Sequence, residues 1–199
     1  MDAESNDPKK LVYASYSKVL QGGRYHGAIQ TKYRVMCSTW LLATFAAIGF
    51  LLFRDGLLPF NHLIGIALIT LVGIAGIYIL WYADTFVEEL LLDINVVEGL
   101  RLEKENPGIP QVHHNFLHLY KNSNARIVKV LFFIGCKSIL IFTAAIDLAF
   151  YFYRTSLLLS LSSIIGCIIL NLISSRYMIA KAGKIQEFME FLWRMDERR

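Results

Sequence analysis

The sequence predicts an all-α membrane protein: four transmembrane helices in two hairpins, with long helices running on into a cytoplasmic helical bundle. Three observations predict it. First, 55% of the 199 residues are hydrophobic, 18% are charged, and mean hydropathy is +0.46; a soluble domain spends more of its surface on charge. Second, the apolar residues gather into four blocks, each near the roughly 20 residues that a helix needs to cross a hydrocarbon core of about 30 Å. Third, seventeen Lys and Arg fall in residues 1–34, 83–129 and 176–199, while the two tight links hold one each, Arg54 and Arg154. Basic residues stay on the cytoplasmic side, so both termini and the central segment are expected there.

Residues 1–34 form the cytoplasmic N-terminal segment. "MDAESNDPKK" is acidic and polar with no apolar run behind it, which is not how a signal peptide reads. Leu11 to Arg34 reads as a polar-amphipathic helix entering the first span, with Gly22-Gly23 as a break point. Residues 35–83 are the first hairpin. Val35 to Phe53 and Gly56 to Ala83 contain no Asp, Glu, Lys or Arg. They must be helical, because backbone groups in lipid have no other partners. "FRDGLLPFN" turns between them on Gly56 and Pro59. Trp81, Tyr82, Tyr151 and Tyr153 stand at block ends, where interfacial aromatics belong.

Residues 84–129 are the cytoplasmic helical linker. The second span continues as "WYADTFVEELLLDINVVEGLRLEKENPGIP". Phe86, Leu90, Ile94, Val97 and Leu100 or Arg101 recur near helical spacing, and Asp84, Glu88, Glu89, Asp93, Glu98, Glu103 and Glu105 take much of the rest. One helix is expected from Leu63 to Glu105, about 60 Å long at about 1.5 Å per residue. Pro107 and Pro110 end it. Residues 130–175 are the second hairpin, with Arg154 and Thr155 between its blocks. Residues 176–199 continue the last span as a C-terminal helix, striped by Ile179, Ala182, Ile185, Phe188 or Met189, and Leu192. A soluble helix with an apolar stripe needs a partner, so these extensions point to a bundle made by one chain or by several. The alternative for the last helix, lying on the inner leaflet, is weakened by Glu187, Glu190, Asp196 and Glu197.

The third block carries two charges, Lys137 and Asp147. Lys137 lies eight residues beyond Lys129, about 12 Å into the span. A central Lys costs about 2.5–3.5 kcal/mol to insert, so it should face protein or water rather than lipid. Lys137 and Asp147 are ten residues apart, about 15 Å along a helix and off one face, so they should not bridge each other. The fourth block offers Ser160, Ser163, Cys167, Asn171 and Ser174, spaced to lie on one stripe. In an antiparallel hairpin Lys137 would be level with Cys167 to Asn171, and Asp147 with Ser160. Such a stripe suits a polar path or a hydrogen-bonded helix interface, and serines are also ordinary packing material between membrane helices. Gly65, Ala67, Gly73, Ala75 and Gly76, with Ala43, Ala46 and Ala47, allow close approach within one subunit.

Other motifs carry less. His113, His114 and His118 are candidates for pH sensing. His114 and His118 have a metal-gripping spacing but no third ligand, so no metal and no cofactor are expected. Cys37, Cys136 and Cys167 read as small buried hydrophobes. "QGGR", Gln21 to Arg24, is too short a signal for a phosphate loop. No nucleophile with a base is evident, so no enzyme is predicted. A net charge of +4 without aromatic–basic grooves does not suit nucleic acid.

In pairing close-set spans with cytoplasmic helices over most of its length, the chain resembles small oligomeric bacterial membrane proteins of the RipA-like and SLATT-type effector kind. Those usually have two spans where this chain has four. The resemblance implies a homo-oligomer in a bacterial inner membrane and carries over no functional residue. The leading expectation is a homo-oligomeric, pore- or channel-like protein in a lipid bilayer, with Lys137, Asp147, Ser160, Ser163, Cys167 and Asn171 near the path. One alternative is a small secondary transporter using Lys137 and Asp147. The other is a scaffold docking a cytoplasmic protein through its helices.

Overall fold

The structure, a computed structural model, describes residues 8–53, 62–115, 125–153 and 156–197. Among them every regular element is helical: α1 (Pro8–Phe53), α2 (His62–Tyr82), a π-helical turn (Ala83–Glu88), α3 (Glu89–Glu105), α4 (Ala125–Tyr153) and α5 (Leu157–Glu197). Four helices are long and apolar enough to cross a membrane: Lys9–Phe53, Leu63–Glu105, Ile127–Tyr153 and Leu157–Lys184. The helix expected from Leu63 to Glu105 is thus present. The helices run unbroken past residues 34 and 175.

The expected break at Gly22-Gly23 is absent, since α1 is continuous through it. The glycines serve another end. A Cβ on Gly22 would lie 2.6 Å from Oδ1 of Asn95, so the bare backbone lets α3 press against α1. The same logic holds where α1 meets α2. The Trp40 indole donates to the Gly73 carbonyl at 3.1 Å, and a Cβ on Gly76 would sit 2.1 Å from that indole nitrogen. Gly73 and Gly76 of the second apolar helix therefore pack within the chain, as expected, whereas Ala75 is exposed.

The main apolar core draws on all four long helices. Cys37 of α1, Ile77 and Trp81 of α2, Val130, Phe133, Cys136 and Leu140 of α4, and Met178 and Ala182 of α5 are buried together. Cys37 and Cys136, distant in sequence, are buried in the same cluster. A second cluster, Ile48, Leu51 and Ile66, joins α1 to α2 alone. The fourth span differs from the others. Only 6% of its most apolar stretch is buried, against 22–33% for the other three, and its main partner is α4.

The π-turn stands where the apolar part of the second long helix ends. Glu89 N–H bonds to the Asp84 carbonyl five residues back, which is the wide spacing of a π-turn. Successive residues of a regular α-helix point about 100° apart. Here the adjacent Glu88 and Glu89 are both buried, together with Asp84 and Asp93. The acids of this segment face inward, and Val87, Leu90, Leu91 and Ile94 are exposed at 44, 42, 38 and 55%. The apolar residues that need a partner do not find one within the described part of this chain. The physical reason is that α1 and α4 present polar groups at this level, and these take the acids instead.

Candidate functional site

Two polar sites emerge. The first is a charge layer just beyond the apolar part of the spans, built by α1, the π-turn, the start of α3 and the start of α4. His26 and Gln30, one turn apart on α1, face the acids. His26 Nδ1 lies 2.8 Å from Glu88 Oε2. The Gln30 amide donates to Glu89 Oε2 at 2.5 Å. Lys129, at the entry of α4, donates to Glu89 Oε2 at 2.8 Å and to the Gln30 carbonyl oxygen at 3.1 Å. Asp84 is 1% exposed, lies within the field of Arg34 and Lys129, and keeps one oxygen with no hydrogen-bond partner. The Arg34 Nε and Trp81 Nε1 donors are likewise buried and unpartnered. Buried polar groups are nearly always satisfied, so three orphans near the end of the apolar stretches mark this layer out. π-turns within helices concentrate at functional sites.

Below it, a carboxylate locks the chain after α3. Glu103, 2% exposed, accepts through Oε1 from the Tyr16 hydroxyl at 2.7 Å, the His113 amide at 2.7 Å and His113 Nδ1 at 2.9 Å. Its Oε2 accepts from the His114 amide at 2.9 Å. Burial pushes the Glu103 carboxyl up, but these hydrogen bonds to the ionised form outweigh it and hold it below the ordinary carboxylate value. Burial, then Glu103, pushes the Tyr16 hydroxyl up to about 12. The His113 ring lies so near Gly99 that a Cβ there would be 2.4 Å from it. Of the three histidines singled out in the sequence, His113 is thus buried against a carboxylate, His114 uses its backbone, and His118 lies outside the described residues. Among the described residues no group of three His, Cys, Asp or Glu is placed to hold a metal.

The second site is Lys137, fully buried between α4 and α5. Its ammonium donates to the hydroxyls of Ser174 and Ser175, the latter at 3.0 Å, and to the Asn171 carbonyl at 3.4 Å. Ser138 donates to Asn171 Oδ1 at 3.0 Å. Lys137 therefore reaches about one turn beyond the Cys167–Asn171 level expected from hairpin geometry. The cause is the long Lys side chain, which carries its ammonium back along the helix toward the polar end. Ser160 is buried, Ser163 bonds to the Ser160 carbonyl at 2.8 Å, and Cys167 is half-buried. Asp147 is half-buried on α4, ten residues beyond Lys137. The structure thus gathers Lys137 and Asn171, adds Ser174 and Ser175, and leaves Asp147 apart in sequence position.

Sequence reasoning missed the charge layer. Its signal was available in the acids at 84, 88, 89 and 93 beside an apolar block, but the sequence reading placed them only as what fills the helix between its apolar residues. Four helices long and apolar enough to cross a membrane point to an integral membrane protein. No family model matches the chain, and neither a curated protein nor a solved structure matches it significantly.

Proposed function

We propose that the protein is a four-pass membrane protein of two helical hairpins, both tails in the cytoplasm, that assembles from identical copies into a pore-like unit. The observation that carries the assembly is the exposed apolar row Val87, Leu90, Leu91 and Ile94. Lipid is not its cover. Glu88 and Glu89, beside this row, contact His26 and Gln30, and around that level α1 exposes Arg24, Thr31 and Lys32. Hydrocarbon does not lie against such residues, so the row stands in water, where contiguous apolar patches mark protein contacts. The lightly covered fourth span supports the same reading. The pore-like character is supported by ionisable groups held out of lipid both at the membrane boundary and inside it, a costly placement that usually serves transport.

Light scattering in detergent, paired with solute flux from liposomes, tests this. The wild type is expected as a multiple of the 22.7 kDa chain, and Leu90→Glu with Ile94→Glu is expected to yield monomers and tight liposomes. A monomeric wild type refutes the reading. One observation favours the scaffold alternative: the Lys137 ammonium is bonded wholly within its own chain, as a packing device would be. Fully assembled protein in liposomes that stay tight selects the scaffold.

A further inference from the structure

We propose that the charge layer is a proton-binding site, in which the Asp84 carboxyl takes up and releases the proton. The site lies outside the residues singled out for a path, and its test needs neither assembly nor flux. The argument begins with a count. Around Asp84 stand Arg34 from α1 and Lys129 from α4, with Glu88 and Glu89 on its own helix. His26 of α1 joins the layer through Glu88 and is charged only if protonated. Three carboxylates therefore face two permanent cations. If all three ionise while His26 is neutral, the layer holds one excess negative charge away from water. Buried uncompensated charge is costly, and proton uptake is the usual relief.

The geometry then says which acid takes the proton. Glu89 accepts from both Gln30 and Lys129, and Glu88 is paired with His26. Asp84, almost wholly buried, has an oxygen to which nothing donates. Its ionised form is the least supported of the three. Burial is the largest influence and raises the carboxyl to about 6; Arg34 and then Lys129 oppose the rise, while Glu89 and Glu88 add to it. A carboxyl raised above its ordinary 3.8 favours the folded state when protonated. That contribution is complete below the ordinary value and is lost as pH rises through about 6. The proton also decides what the π-turn offers to Arg34. A protonated Asp84 is a neutral hydrogen-bonding group, and an ionised one is a counter-ion.

Infrared difference spectroscopy on the full chain in detergent, titrated from about pH 5 to about pH 8, reads the site directly. A protonated-carboxyl band should disappear with a midpoint near 6 and be missing in Asp84→Asn. Over the same range the thermal midpoint of the wild type should fall more than that of Asp84→Asn. Arg34→Gln removes the cation that most opposes protonation, so its band should persist to higher pH, and this arm stands even if Asp84→Asn does not fold. A band that survives in Asp84→Asn, no band at about pH 5, or an unmoved midpoint in Arg34→Gln overturns the assignment.

Discussion

Lys137 offers a quantitative way to tell a packing device from a residue lining water. Its ammonium is fully buried and leans on three acceptors, the Ser174 and Ser175 hydroxyls and the Asn171 carbonyl. Changing both serines to Ala strips two acceptors from a charge that has nowhere else to turn, which should cost about 2–4 kcal/mol. Lys137→Met removes the same two bonds but strands nothing. The freed hydroxyls fall back on their own helix, as Ser174 already does toward the Asn171 carbonyl at 3.2 Å, so the cost should be only about 1–2 kcal/mol. Adding Lys137→Met to the double serine variant should therefore restore stability to nearly the Lys137→Met level, a coupling about equal to the serine cost itself, about 2–4 kcal/mol. Unfolding in mixed micelles by a denaturing detergent measures all four corners. Additivity within about 0.5 kcal/mol would refute the reasoning, because water on a polar path would replace lost hydroxyls at little cost.

Other outcomes follow from the same geometry. Tyr16→Phe removes the hydroxyl that lies 2.7 Å from Glu103 and 2.8 Å from the Pro110 carbonyl; it should cost about 1–2 kcal/mol and speed hydrogen exchange at the amides of His113 and His114. Glu103 is held below its ordinary value in the fold. Its stabilisation is therefore full above the ordinary carboxylate value and lost as pH falls through the lower folded value. Exchange at those two amides, corrected for intrinsic rate, should rise only in that acid range. Gly76→Ala drives a methyl into the Trp40 ring and should cost about 1–3 kcal/mol, whereas Gly166→Ala, with nothing within 4 Å, should be neutral or gain up to about 1 kcal/mol from helix propensity; thermal unfolding of the pair checks both.

The parts of the fold that depend on length and composition were legible. Four runs of apolar residues become four helices, and the helix from Leu63 to Glu105 ends where Pro107 and Pro110 forbid it to continue. Part of the Lys137 site was legible too, because Asn171 and Ser174 recur on one stripe. Ser175 was not, since a one-residue step lies well round the helix and is reached only by a long, flexible side chain. The charge layer was illegible for a different reason. Periodicity tells which residues share a face and is silent on whether that face turns inward. The inward turn of Asp84, Glu88 and Glu89 depends on His26, Gln30 and Lys129, which lie between 40 and 62 residues away from the acids they bond.

That inversion ties the charge layer to the proposed assembly. A helix beyond a membrane that had to satisfy itself within one chain would turn Leu90 and Ile94 inward and leave its acids to water. Here the acids are spent on α1 and α4, with hydrogen bonds of 2.5–2.8 Å, and the apolar row is left outside. The polar contacts clamp three segments at the end of the apolar stretches with directional bonds, which fix orientation more sharply than apolar packing does. The outward row is then presented in a fixed attitude, the condition under which one surface can meet its own copy. If the attraction between Asp84 and Arg34 changes with the charge of Asp84 and shifts the π-turn, the attitude of Leu90 and Ile94, no more than ten residues on, changes with it. A proton at that level and the proposed interface would then be coupled through about two to three turns of helix. The double variant Leu90→Glu, Ile94→Glu should accordingly alter the infrared midpoint of Asp84, and an unchanged midpoint would mean that the two features are merely neighbours.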